Sequence, residues 1–528
     1  MKRFRQPAGG GSVRRSLVLH AAAFLVTLAA CPVCPSRSLA RGLTVMLAEP
    51  PRSMDPADQN ATATRSILAP FYESLVRQDA DGSIRPWLAT AWSVSPDGMA
   101  WIFALRPGIV FHDGTPCDAD AVVASLRRLL DPGAALAGAG AFRATIASVR
   151  RQGASVVITL IHPYADLLSL LSITQAAIVS PLAAARGTLG RHADGTGPFM
   201  FVDWQDGAHV GARANPRYWG APPALTRIEW VWSSEPSVTN MALQTGDADA
   251  VMPLAPVFAG LYASGQPAAA RAVIHGGRGA AQFWAALNTT LPPLDDARVR
   301  RALGLAIDRQ ALVAGLLHGY GRPACHALTP DIAGSEPCAP GQDRADPAAA
   351  RALLQQAGLA RGFSVTVVVQ EPEEPIAEAL QAMWRRIGVT LRIRRQEAGV
   401  WVQSAFAGPA DKARQDIGMV LTSWSAPFIA DLQLRPLYAS ASAAPAGANL
   451  GFYRNREIDA AIDRAARTGD PAARARDYAA IQDRLARDAP ILPLYVQDNL
   501  YGVRQGLDGV QSLPDGEIAV TSARWAAP

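Results

Sequence analysis

Three Asp-Gly pairs, beginning at positions 81, 97 and 113, cut the stretch from Asp79 to Val122 into short apolar runs such as Trp101-Ile-Phe-Ala-Leu105. Asp-Gly suits the positive φ angles of tight turns, so no long helix can run through this stretch and a meander of strands is expected. The last turn feeds a helix, with Asp118 placed to cap it and Val122, Leu126 and Leu129 at helical spacing on one face.

At 528 residues, nearly half of them apolar, the chain can bury two or more cores. Its formal charge of +5 is misleading, because Lys2, Arg3, Arg5, Arg14, Arg15 and Arg37 share the first forty positions with no acid. The remainder holds 44 basic and 45 acidic residues, a near balance that argues against a nucleic-acid surface. The basic start followed by an apolar run from Leu17 to Ala30 suits a signal peptide and is too short to span a bilayer comfortably. Residues 1–40 are therefore expected to be a signal peptide, ending at the small-residue site Ser38-Leu-Ala40. Leu28-Ala-Ala-Cys31 matches a lipoprotein box, which leaves anchoring through Cys31 as the alternative to a soluble periplasmic product.

Beyond Ala40 three cysteines remain. Cys325 and Cys338 flank a Pro- and Gly-containing loop, and in an oxidising compartment a disulfide between them is expected. A metal site on Cys325, His326 and Cys338 is the rival, but the spacing is no recognised zinc pattern and lacks a fourth ligand. Cys117 stands alone and reads as a buried thiol.

The run Phe111-His-Asp-Gly-Thr-Pro-Cys-Asp-Ala-Asp-Ala-Val122 resembles a phrase typical of the extracellular solute-binding proteins of ABC importers, family 5, which bind dipeptides, oligopeptides and nickel. In that family the phrase reads Phe-x-Asp-Gly-x-Pro-Phe-x-Ala-x-Asp-Val, and only Cys117 and Ala121 depart from it. The likeness continues through Gly195-Thr-Gly-Pro-Phe199, Asn215-Pro-Arg-Tyr-Trp-Gly220, Leu243 to Asp249, Leu287-Asn-Thr289, Val299 to Asp308 and Leu353 to Gly358. It implies an α/β, two-lobe periplasmic-binding-protein fold, type II in its large cluster C form, with the ligand cleft between lobes joined by two crossing strands. On that pattern 41–282 is the first lobe with an extra subdomain, 283–496 the second lobe, and 497–528 the return to the first. The alternation of helices and strands from Pro347 onward independently points to an α/β lobe. Helices are expected over Thr64–Leu75 and Val299–Leu317, and strands over Leu43–Ala48 and Ile491–Val496.

The resemblance implies a small solute, a peptide above all, and an inner-membrane ABC permease as partners, with no cofactor and no metal ligands of the chain's own. It places Thr422-Ser-Trp-Ser-Ala-Pro-Phe-Ile-Ala-Asp431 at the cleft loop. Trp424 would wall or stack on the ligand, and Phe428 stands where the nickel-binding version has a tyrosine. Dipeptide binders hold the peptide ammonium with an acid three places after the tryptophan; here that place is Pro427, so Asp431 is the candidate substitute. Arg65 and, a few residues past the cleft loop, Arg435 are candidate partners for a ligand carboxylate. A metal chelate or other small anion is the alternative solute. His112, His162 and His192 show no ligand spacing and read as structural.

An enzyme would require a site, and the chain contains no Gly-x-Ser-x-Gly, His-Glu-x-x-His, Ser-x-x-Lys or phosphate-loop motif. A periplasmic hydrolase and a sensory module that presents its closed form to a receptor remain the alternatives of another class.

Overall fold

The computed structural model describes residues 42–526, apart from positions 60, 80, 81, 331, 333, 426–428 and 514. The expected signal peptide, with Cys31, and Phe428 and Pro427 of the cleft loop lie outside the described residues. Among the described residues no helix is long and apolar enough to cross a membrane.

Leu43–Leu47 (β1) alternates buried and half-buried residues, and a short helix, Thr62–Leu68 (α1), follows the Pro-rich turn after it. Sequence spacing predicts that helix to continue to Leu75, but it stops ahead of Pro70, which has no N–H to carry the helical hydrogen bonding onward. Phe71 and Leu75 are buried all the same.

The Asp-Gly stretch forms the meander predicted for it. Ala89–Val94 (β2) and Ala100–Leu105 (β3) pair antiparallel, and Ile146–Gln152 (β4) with Ser155–Leu160 (β5) complete a four-stranded sheet in the order β2-β3-β5-β4. Gly82, Gly98 and Gly114 all adopt positive φ, as the turns require. Asp118 caps the helix Ala119–Leu130 (α2) by accepting from the Ala121 N–H at 3.0 Å, and Val122, Leu126 and Leu129 are buried beneath it.

Phe199–Gln205 (β6), His209–Ala214 (β7), Arg227–Trp232 (β8), Ala250–Met252 (β9) and Ala272–Gly277 (β10) then build the first lobe. The chain leaves it through three residues, 278–280, and enters a second sheet at Ala281–Leu287 (β11). There follow Ala297–Leu305 (α3), Arg309–Leu316 (α4), Gly321–Pro323 (β12), Phe363–Val369 (β13), Val389–Arg395 (β14) and Met419–Ser425 (β15). Ala430–Tyr438 (α5), Arg456–Arg467 (α6), Pro471–Asp488 (α7) and Ile491–Gln497 (β16) close this lobe, and after Asp498 the strand Asn499–Arg504 (β17) returns to the first. The first sheet runs β10-β17-β9-β1-β8-β7-β6 and the second β12-β16-β11-β15-β13-β14. The predicted continuous helix over 299–317 is instead two helices, because Asp308 restarts the chain by capping α4 through the Ala311 N–H.

The two passages between sheets lie side by side. Gly277 pairs with Asn499 and Gln282 with Val496. Between them a Cβ on Gly279 would sit 1.9 Å from the Gln497 carbonyl oxygen, so only glycine allows the strands to cross so closely. Arg322, on β12, donates to the Gly279 carbonyl and lies 3.7 Å from Asp498. The changes of sheet thus fall at 278–280 and at Asp498.

Two of the phrases that carried the family likeness share one anchor with the Asp-Gly stretch, which the sequence alone did not expose. Glu73 is buried, and its carboxylate accepts from Trp87 Nε1 (2.9 Å), Tyr218 Oη (2.8 Å), Trp219 Nε1 (2.7 Å) and Thr196 Oγ1 (2.7 Å). Those donors come from the Asp-Gly stretch, from Asn215–Gly220 and from Gly195–Phe199. His112 ties the same pieces together, with Nε2 3.0 Å from the Gly197 carbonyl and Nδ1 accepting from the Gly195 N–H. Burial lowers its pKa to about 4, so it is neutral in neutral solution.

In the second lobe Lys412 is wholly buried, donating to the Leu450 carbonyl at 2.8 Å with its ammonium 4.9 Å from the Phe452 ring. Burial lowers its pKa to about 7 from 10.5. Between those values the unfolded chain holds a proton that the native protein releases, so stability rises with pH across that window. Lys412→Met is expected to flatten that rise, measured by urea unfolding at both ends of the window; an unchanged slope would show that Lys412 keeps its proton when folded. The second lobe also contains the Cys325–Cys338 disulfide, while Cys117 is a buried free thiol.

Candidate functional site

Strand register places two sets of loops at the level of the crossings. β15 runs antiparallel to β11, and its last residue, Ser425, stands opposite Ala281, the first residue past the crossing. Ser425, the end of that strand, therefore lies beside the hinge. In the first lobe β1 and β9 run parallel, and Leu254, just past β9, bonds to Leu500 next to the return crossing. The turn after β1 and the start of α1 thus lie at the C-terminal ends of parallel strands, where α/β sheets hold ligands.

The lobes touch here. The Ala165 N–H of the first lobe donates to the Ala466 carbonyl of the second at 3.0 Å, and Arg474 reaches Asp166 at 3.4 Å. Ile429 and Ala466 are buried in one apolar cluster with first-lobe residues such as Leu167 and Leu171.

Asp431 does not sit on a loop as expected; it lies in the first turn of α5. It is nearly buried, and its carboxylate is held by Arg435 one turn on at 2.8 Å. Arg435 also binds Asp463 at 2.6 Å. Burial alone would lower the Arg435 guanidinium, but the two aspartates hold it above its ordinary value. Asp431 also acts across the lobes. Burial raises the Asp166 carboxyl, with Arg474 opposing and Asp431 adding to the shift. The Tyr164 hydroxyl is pushed well up, by burial first and then by Asp431 and Asp166. Three aspartates, 166, 431 and 463, thus face two arginines, 435 and 474. The buried Tyr478 hydroxyl beside them has no hydrogen-bond partner among the described residues.

Trp424 is half-buried on the outer end of β15, and its Nε1 donates to the Leu432 carbonyl at 3.2 Å. That bond ties the end of β15 to α5 and leaves part of the indole exposed.

The expectation for Arg65 needs correction. Its guanidinium is mostly buried and committed to two acids from the C-terminal tail, Glu517 at 2.5 Å and Asp515 at 3.5 Å. Thr174 shares Glu517 at 3.3 Å. Burial raises the Glu517 carboxyl even with Arg65 beside it. A buried cation requires such partners, and the tail supplies them across more than 440 residues of sequence, a pairing no local pattern signals. Arg65 is therefore no free carboxylate receptor. Arg435, expected as a second one, is likewise already shared by Asp431 and Asp463. Tyr164, Asp166, Asp463, Arg474 and Glu517 were not singled out in the sequence, since none lies in a motif.

Two lobes on separate sheets, two side-by-side crossings and charged side chains where the lobes touch define a two-lobe solute-binding fold of type II. Residues 83–446 match the family model for bacterial extracellular solute-binding proteins, family 5. The chain belongs to that family, whose members bind solutes for ABC permeases. It is 31% identical over 470 residues to the glutathione-binding protein GsiB of Salmonella typhimurium, covering 88% of this chain and 90% of that one. Among solved structures it resembles the periplasmic binding protein DppA of Helicobacter pylori in complex with the peptide STSA. That match has a TM-score of 0.77 at 23% identity and covers 92% of this chain and 98% of that one. It also resembles NikZ of Campylobacter jejuni in complex with Ni(L-His), with a TM-score of 0.75 at 23% identity over 90% and 97% of the two chains.

Proposed function

We propose that the protein captures a short peptide or peptide-like solute, of the glutathione class, in the periplasm. It closes its lobes on that solute at the paired crossings and delivers it to an inner-membrane permease. The observation that carries this reading is the pair of buried carboxylates where the lobes meet. Asp431 and Asp166, both largely buried, share Arg435 and Arg474 with the exposed Asp463, and a ligand ammonium would add a partner for the two buried carboxylates. The unpartnered Tyr478 hydroxyl supplies a further polar contact. Similarity to glutathione-binding relatives along most of the chain supports a solute of that class.

Calorimetric titration of the exported protein with reduced glutathione, a panel of di- and tripeptides, and nickel–histidine checks the assignment. Glutathione or a short peptide is expected to bind with micromolar affinity, about 8 kcal/mol. Binding of the nickel chelate alone would contradict it.

A further inference from the structure

The second lobe encloses a cavity of about 320 Å³ that is separate from the hinge. It lies between the start of α4, the C-terminal turns of α7, the beginning of β16 and the disulfide-closed loop. β16 touches it at Ile491–Pro493, whereas the return crossing is at Asp498. Five residues of extended strand separate the two, roughly 17 Å.

Its floor holds polar groups whose bonding is incomplete. Arg309 is 6% exposed; its Nε donates to the Ala324 and Pro493 carbonyls, both at 2.9 Å, and Nη1 reaches the Gly304 carbonyl at 3.4 Å. No carboxylate forms an ion pair with it among the described residues. Asp343 acts on it only at longer range and is itself engaged by the Gln310 amide. Gln482 is 1% exposed, and its Nε2 donates to the Gly334 carbonyl at 2.8 Å, which fixes the amide and leaves Oε1 without a donor. Among the described residues His326 Nδ1 is buried without a partner as well. At the mouth stand Arg301 and Arg344, both exposed, with Asp346 occupied in capping the helix that follows it.

A buried guanidinium without a counter-ion asks for an anion, and an orphaned amide oxygen asks for a donor. We propose that this cavity is a second binding site, for a small carboxylate that also carries an amino or hydroxyl group. The carboxylate lies on Arg309 with Arg301 and Arg344 drawing it in, and the amino or hydroxyl group donates to Gln482 Oε1. The volume suits a molecule of amino-acid or hydroxy-acid size.

Saturation-transfer NMR on the exported protein with L-serine and L-lactate as probes tests this. At least one probe is expected to bind, with binding abolished by Ala486→Trp, which blocks the mouth from an exposed position on α7, and weakened about tenfold by Arg344→Glu. Calorimetric titration with glutathione is expected to be unchanged in both variants, which separates this site from the one between the lobes. Absence of transfer to either probe, or transfer that survives Ala486→Trp, would overturn the proposal and leave a solvent-filled void. Loss of glutathione binding in Ala486→Trp would overturn its independence from the cleft.

Discussion

Asp431→Asn is expected to weaken solute binding by about 30- to 1000-fold, a loss of roughly 2 to 4 kcal/mol. The amide keeps the shape and the hydrogen bond to Arg435 but removes the charge that the ligand ammonium would meet. Arg435 retains Asp463 at 2.6 Å, so its guanidinium does not become an unpaired buried cation and the fold should tolerate the change. Titration calorimetry reads the affinity and thermal unfolding reads the fold. An unchanged Kd would show that Asp431 serves only as the counter-ion of Arg435.

The largest effect on stability is expected from Glu73→Ala. Four side-chain donors from three separate segments converge on that carboxylate, and burial already raises its pKa. Removing it orphans two indole N–H groups, a phenol and a threonine hydroxyl in one place. The cost is about 3 to 5 kcal/mol, and the unfolding of the first lobe should fall by roughly 10 °C in scanning calorimetry. Glu73→Gln should fare little better, because its amide nitrogen would point a donor at donors. A shift of a degree or two for either variant would show that the donors find other partners.

Much of this architecture was legible in the chain. The Asp-Gly pairs mark turns through a backbone property of glycine, and the helix capped by Asp118 follows from a local contact three residues long. The hinge strands, rich in apolar residues, also announce themselves. The motifs that carry the family likeness were visible, but their reason was not: Trp87, Thr196, Tyr218 and Trp219 are a set only in space, around a glutamate that belongs to no phrase. The site was hard to read for the same reason. Arg65 looks like a free cation because its partners, Asp515 and Glu517, lie at the other end of the chain. Asp431 and Arg435 looked like independent ligand contacts because the helix that pairs them at i and i+4 contains Pro436, which masks its periodicity.

Lobe closure on a peptide-like solute is tested most directly by small-angle X-ray scattering of the protein during titration with reduced glutathione and the short-peptide panel. Hinge bending at the paired crossings predicts a radius of gyration that falls as ligand is added and saturates with the Kd found by calorimetry. A constant radius of gyration throughout a titration in which calorimetry reports binding would contradict closure as the mechanism.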